Sequence, residues 1–173
     1  MAQKEIIGSG GCFPQYAKVL TTSGYKNISE IVVGDEVISY NDTGRLATSM
    51  VEEVFFHKNK EVSKYTYWGG EIYATANHWV LNQLNSFSEI GNLSTHDCLV
   101  DSDGTLRPML SSQEAGIEDV YNLSVVPDHT YIVDGIRVHN GGGGKGGGAS
   151  RPAVEDPNTL RSKQFARVLD LVS

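Results

Sequence analysis

Residues 12–140 predict an all-β domain, and three observations lead there. Short β-branched and aromatic runs alternate with turn residues, few segments carry a helical period, and Asp134-Gly135 joins two apolar runs as a tight hairpin signal. The predicted strands, in chain order, are Val19–Thr22, Glu36–Tyr40, Val51–Phe56, Val62–Tyr67, Glu71–Thr75, Val120–Val125, His129–Val133 and Ile136–His139. Residues 28–33 have room for one helical turn before Gly34. Phe55, Phe56, Tyr65, Tyr67 and Trp68 are expected to fill the β core.

Composition sets the outer bounds. The chain has 173 residues, a net charge of -7 and a hydrophobic fraction of 39%, which fits one folded domain with short flanks. A net negative charge gives no electrostatic reason to seek nucleic acid or an anionic membrane. No apolar run approaches the roughly 20 residues of a membrane span, and the first residues carry no secretion signal. Two cysteines, Cys12 and Cys98, are too few for a disulfide scaffold and fit a reducing, cytoplasmic setting.

The organisation is unusual at the two edges of the domain. Residues 1–11 end in Gly8-Ser9-Gly10-Gly11, and residues 141–148 read GGGGKGGG. With residues 12–140 removed in thought, the two glycine tracts fuse into one low-complexity run, as expected of a domain inserted into a glycine-rich segment. Two independent linkers around an ordinary domain are the alternative. Residues 141–150 form the second linker. Beyond them Asp156-Pro157 offers a cap and a first helical position, and Leu160, Phe165, Val168, Leu169 and Val172 recur at helical spacing. A helix over 158–172 is expected, as the start of a flanking protein that continues past this chain.

Three places carry chemistry. Cys12 opens the globular part behind two glycines; about 3% of a free thiol is ionised at pH 7, and a thiol is a capable nucleophile all the same. Thr75, Asn77 and His78 gather a hydroxyl, an amide and an imidazole at a strand end, groups suited to binding a strained peptide and protonating a leaving amine. His139-Asn140-Gly141 places an asparagine before a glycine, where the side-chain amide can attack its own main-chain carbonyl without hindrance, beside a histidine that can act as an acid. Each also has a bland reading: a buried cysteine, a polar turn, and an Asn-Gly turn. His57, His96 and Cys98 match no zinc-ligand spacing, and the second glycine tract lacks the setting of a phosphate loop, so no metal and no cofactor is expected.

Taken in order, these blocks resemble the Hint superfamily of inteins, bacterial intein-like domains and hedgehog processing domains. Cys12-Phe13-Pro14, Lys18-Val19-Leu20-Thr21 and Gly34-Asp35 match its opening block. Thr75-Ala76-Asn77-His78 matches its second block. Val120–Val125, Asp128-His129-Thr130-Tyr131 and His139-Asn140 match its closing blocks. The resemblance implies a horseshoe of short antiparallel strands whose two ends meet at the active site. It implies self-processing: a single-turnover cut or splice of the flanks, which serve as the substrate. By position, Cys12 would form a thioester with Gly11, supported by Thr75, Asn77 and His78. Asp128 and His129 would assist coupling and the C-terminal step, and His139 would help Asn140 cyclise and cut before Gly141. The departures are Tyr16-Ala17 for the usual Gly-Thr, Trp79 for Pro, and above all Gly141, which lacks the side-chain nucleophile of standard inteins and thus fits the intein-like domains. The segment from Gly141 onward, through Leu160-Arg161-Ser162-Lys163 and Val168–Leu171, is similar to the N-terminal region of siphophage tail-tip proteins. That likeness implies a phage tail assembly expressed in a bacterial host. A cysteine hydrolase acting in trans and an inert β-module on a phage tail remain as alternatives from other classes.

Overall fold

The computed structural model describes residues 4–5 and 11–140. The glycine-rich segment after the domain and the expected helix over 158–172 lie outside the described residues.

Among the described residues, thirteen strands form one connected antiparallel-dominated sheet. In order they are β1 (Lys4–Glu5), β2 (Phe13–Pro14), β3 (Lys18–Thr21), β4 (Gly24–Asn27), β5 (Glu36–Tyr40), β6 (Leu46–Tyr67), β7 (Gly70–Ala74), β8 (Trp79–Leu81), β9 (Phe87–Glu89), β10 (Cys98–Val100), β11 (Leu106–Val126), β12 (Thr130–Val133) and β13 (Ile136–His139). Two single 3-10 turns, Ile28–Glu30 and Ile90–Asn92, each bury their isoleucine.

The frame is the β6–β11 ribbon. β6 has 22 residues and β11 has 21. A straight strand of that length would reach about 70 Å, roughly twice the width of a domain this size, so the ribbon has to bend. The register slips at four places, between Met109 and Ser111, Glu114 and Gly116, Glu118 and Val120, and Ser124 and Val125. Each slip inserts a bulge that bends and twists the pair. The sequence patterning splits β6 into Val51–Phe56 and Val62–Tyr67 because the interval His57–Glu61 is polar. The structure joins them, since the ladder to β11 runs on through His57, Lys60 and Glu61.

The remaining strands close around this ribbon. β5 pairs with β6, β3 with β5, and β12 with β3, so that Val133 lies against Val19. The β12–β13 hairpin turns at Asp134 and Gly135, both at positive φ (50° and 83°), the turn that suits the twist of two antiparallel strands. β12 begins at Thr130 rather than His129, because His129 has φ 61° and cannot continue a strand. Six short strands escape the sequence patterning: β1 and β2, of two residues each, β4, whose tyrosine is exposed, and β8, β9 and β10, of three residues each. Inside, Phe13, Val19, Ile72, Leu123, Tyr131, Val133 and Val138 form one continuous core. Of the aromatics expected inside, Phe55, Tyr65 and Tyr67 are buried, whereas Trp68 is 63% exposed at the β6–β7 turn.

At Gly135 an added Cβ would meet nothing closer than the Tyr25 hydroxyl at 3.9 Å, so any penalty there is backbone strain alone. Gly135→Ala is expected to lower the unfolding free energy by about 1–2 kcal/mol in urea titration, without changing the denaturant slope.

Candidate functional site

The backbone at Cys12 is fixed by hydrogen bonds. Between Cys12 and Thr75 the amide of Thr75 donates to the Cys12 carbonyl at 3.0 Å, and the Cys12 amide donates to Thr75 Oγ1 at 2.9 Å. The nitrogen so held belongs to the Gly11–Cys12 peptide. The Thr75 hydroxyl in turn lies 2.8 Å from Asn77 Oδ1, to which it donates. Beside it, Gly11 presses on the next turn: a Cβ on Gly11 would stand 2.0 Å from His78 Cα, a distance no side chain tolerates. Glycine is therefore required here for close approach, not for its range of φ.

His78 is fully buried. Its ring packs 4.1 Å from Phe13, centroid to centroid, and its main chain is tied down by His78 N to Thr75 O and Ile90 N to His78 O. Burial pushes its imidazole down to about 3, against the modest opposing pull of backbone groups of Gly11 and His139 nearby. No hydrogen bond of good geometry reaches either ring nitrogen among the described residues. His78 is thus a neutral imidazole at any physiological pH.

The second edge arrives from the opposite direction. β13 pairs antiparallel with β8, Val138 against Val80, and that register carries Asn140 to the level of His78. Tyr40 Oη, buried beneath, donates to the Val138 carbonyl at 2.9 Å and anchors this last strand. The Asn140 amide donates to the His129 carbonyl at 2.8 Å. The His139 ring packs against Phe87 (4.8 Å between centroids) and Trp79 (5.9 Å), and its Nδ1 lies 2.7 Å from the Asn140 carbonyl oxygen. Asn140 is buried, and among the described residues its Oδ1 has no hydrogen-bond partner. An orphaned amide oxygen in such a place costs about 1–3 kcal/mol.

Cys12 is buried at 2% exposure and takes part in no disulfide. Desolvation lifts its thiol to about 12, with Lys60 pulling the other way. One side of it borders a cleft of about 430 Å³ lined by Cys12, His57, Asn59, Lys60, Glu61, Ser63, Thr75, Ala76 and Asn77.

The structure thus brings together Cys12, Thr75, Asn77 and His78 at one edge, and His139 and Asn140 beside His78 at the other. Asp128 is placed differently: its carboxylate accepts from Ser39 Oγ at 2.8 Å and Ser49 Oγ at 3.4 Å, on β5 and β6. His129 contributes its carbonyl to Asn140, while its own Nδ1 is buried without a partner among the described residues. His57 and Lys60 were not expected near Cys12. They lie more than forty positions from it in the chain, and only the β6–β11 register places them there. His57, His96 and Cys98 do not gather: among the described residues no three His, Cys, Asp or Glu side chains form a cation cluster.

The burial of His78 has a measurable consequence. Its folded value lies below the ordinary 6.5, so the unfolded chain takes up a proton first as pH falls. The resulting loss of stability starts near pH 6.5 and grows toward pH 3 by about 1.4 kcal/mol per unit. Asp134, whose carboxyl burial raises to about 6, acts with the opposite sign between about 3.8 and 6, so bulk stability alone does not isolate His78. Ring carbon shifts of His78 followed by NMR are expected to stay at their neutral values from pH 8 down to 4.5, while a solvated histidine titrates near 6.5.

Comparison with known proteins agrees with this architecture. The family model described as "Pretoxin HINT domain" matches residues 18–143. The solution structure of a bacterial intein-like domain from Clostridium thermocellum is similar at 31% identity and a TM-score of 0.70, covering 75% of this chain and 98% of that one. The gp41-1 intein is similar at 30% identity and a TM-score of 0.66, covering 76% of this chain and 100% of that one. The DnaB intein from Synechocystis sp. PCC 6803, at 24% identity and a TM-score of 0.69 over 75% of this chain and 98% of that one, shares the fold. With the family model matching most of its length, and with 31% identity to a bacterial intein-like domain over 75% of the chain, the chain belongs to the pretoxin HINT domain family.

Proposed function

We propose that the domain processes its own flanks: Cys12 attacks the Gly11 carbonyl to form a thioester, and Asn140 cyclises to cut the bond before Gly141. The observation that carries this reading is convergence. The Gly11 backbone touches His78, and the register of β8 and β13 brings Asn140 to the same residue, so Gly11 and Asn140 both lie beside one buried histidine.

In the first step the sulfur–carbon bond forms, the Gly11–Cys12 carbon–nitrogen bond breaks, and the thiol proton ends on the new Cys12 amine. Thr75 Oγ1 already holds the Cys12 N–H, and Asn77 orients that hydroxyl, so the nitrogen has a proton relay at hand as it becomes basic. His78, held neutral, acts as a hydrogen-bond donor toward the oxyanion developing on Gly11, and the growing negative charge makes it more basic as the reaction proceeds. In the second step Asn140 Nδ2 attacks its own carbonyl carbon. His139 Nδ1 lies 2.7 Å from that carbonyl oxygen and polarises it as a donor, while Phe87 and Trp79 hold the ring in place. Asp128 and His129 act through the loop before β12: the serine-bound carboxylate keeps the loop in place, and the His129 carbonyl holds the Asn140 amide.

Gly141 has no side chain to take over the acyl group. The thioester therefore has three fates: water hydrolyses it, it stays while cyclisation cuts the other end, or the freed Gly141 amine attacks it. The α-amine, with a pKa near 7.7–8.0, has a usable neutral fraction at physiological pH. The third route joins the glycine tracts that frame the domain, and cleavage at either end competes with it. In this reading the flanks are the substrate and no cofactor takes part. The resemblance of the C-terminal flank to siphophage tail-tip proteins supports a product that serves in a phage tail assembly made inside a bacterium.

The test uses the chain with a distinct tag at each end, weighed over time. Cleaved or joined products are expected; an intact precursor after long incubation overturns the proposal. Cys12→Ala should spare C-terminal cleavage, Asn140→Ala should abolish it, and Thr75→Ala should slow N-terminal cleavage about 100-fold. Because burial leaves only about one thiol in ten thousand ionised at pH 8, the N-terminal rate should rise about tenfold per pH unit from 6 to 9.

A further inference from the structure

The cleft beside Cys12 is lined by a lysine that the steps above do not use. Lys60 lines it together with Cys12, His57 and Asn59. Its position depends on a local departure from the β6 ladder. His57 pairs with Val120 and Lys60 with Glu118, so two residues of β6 face one of β11. Asn59 absorbs the extra residue at φ 54°, and its amide is pinned to Asp119 Oδ1 at 3.1 Å. Bulges of this kind re-aim side chains beside active sites. Glu118, across from Lys60, accepts a hydrogen bond from the Tyr16 hydroxyl at 2.9 Å.

We infer that Lys60 is a positioning residue of the Cys12 step, its ammonium turned by the Asn59 bulge into the cleft so that negative charge on the sulfur is favoured as the thiol proton departs. This rests on the self-processing reading for its role, though not for its electrostatics. The groups around the sulfur show why a single cation matters. β6 contributes His57, Lys60 and Glu61 to the cleft, and Phe55 and Val62 to the apolar cluster around Cys12. β7 packs Tyr73 on that cluster, β11 packs Val120, and the buried phenol of Tyr131 on β12 is near enough to feel the sulfur's charge. Among these, Lys60 is the permanent positive charge. At the low effective dielectric of a half-buried cleft, one cation changes an ionisation by about tenfold.

The test measures thiol-induced N-terminal cleavage from pH 6 to 9 in an Asn140→Ala background, where the second step is silent. Lys60→Gln should slow cleavage about five- to tenfold across the rising limb, with its pH slope unchanged. Lys60→Arg should restore the rate to within about twofold. Added salt should slow the parent and leave Lys60→Gln nearly unaffected. A Lys60→Gln rate within twofold of the parent, or Lys60→Arg as slow as Lys60→Gln, overturns the inference and leaves self-processing standing. If the parent itself never cleaves, the self-processing reading fails, and alkylation of Cys12 by iodoacetamide in a Cys98→Ser chain decides the electrostatics. A five- to tenfold slower reaction in Lys60→Gln at pH 8 upholds the influence on the sulfur, and an equal rate removes it.

Discussion

The backbone of Gly11 lies against the Cα of His78 with no space for a side chain between them, and the rest of the site is arranged around that contact. The approach is held by the two hydrogen bonds between Cys12 and Thr75 on one side, and by the Thr75 and Ile90 bonds to the His78 main chain on the other. Because β13 runs beside β8, the same stretch that receives the first edge of the domain also receives the last. Gly11 and Asn140 thus approach one residue, in a sheet whose longest pair, β6 and β11, bends at its bulges.

Burial then sets the electrostatic character of the place. Cys12, His78, His139 and Asn140 are all nearly without solvent, and water is the usual stabiliser of charge. The thiol stays protonated and the imidazole stays neutral, so the resting site carries little charge beyond the cleft where Lys60 and Glu61 stand. Charge that develops in such a site has to be compensated by nearby donors and cations rather than by water. A neutral imidazole beside the peptide is suited to that task, since it supplies a hydrogen bond without introducing a second charge to be desolvated.

Much of this was legible in the chain. The alternation around Ile72 and the Asp134-Gly135 pair marked the strands and the hairpin, and both follow from local rules of side-chain period and positive φ. Cys12, Thr75-Asn77-His78 and His139-Asn140 are each weak signals alone, and it is their order along the chain, matching the Hint blocks, that singles them out. What local reading missed is set by distance. The union of β6 across His57–Glu61 comes from a partner strand some sixty residues on, which tolerates polar residues where a ladder continues. Lys60 reaches the Cys12 cleft through a bulge that no periodicity announces, and Ser39 and Ser49 meet Asp128 only after three elements have paired. Trp68 was misplaced inside because a large aromatic beside a β run ordinarily packs, whereas here Gly69 and Gly70 turn the chain and leave it outside.

The convergence of both edges on His78 is most directly measured by proton–proton NOEs in a precursor held uncut by Cys12→Ala and Asn140→Ala together. The account predicts strong NOEs from the Gly11 Hα protons to the Hα of His78, and from the His78 region to main-chain protons of His139 and residue 140, in one and the same species. Gly11 protons that show none of these contacts, in a domain otherwise folded with Val138 against Val80, would contradict it.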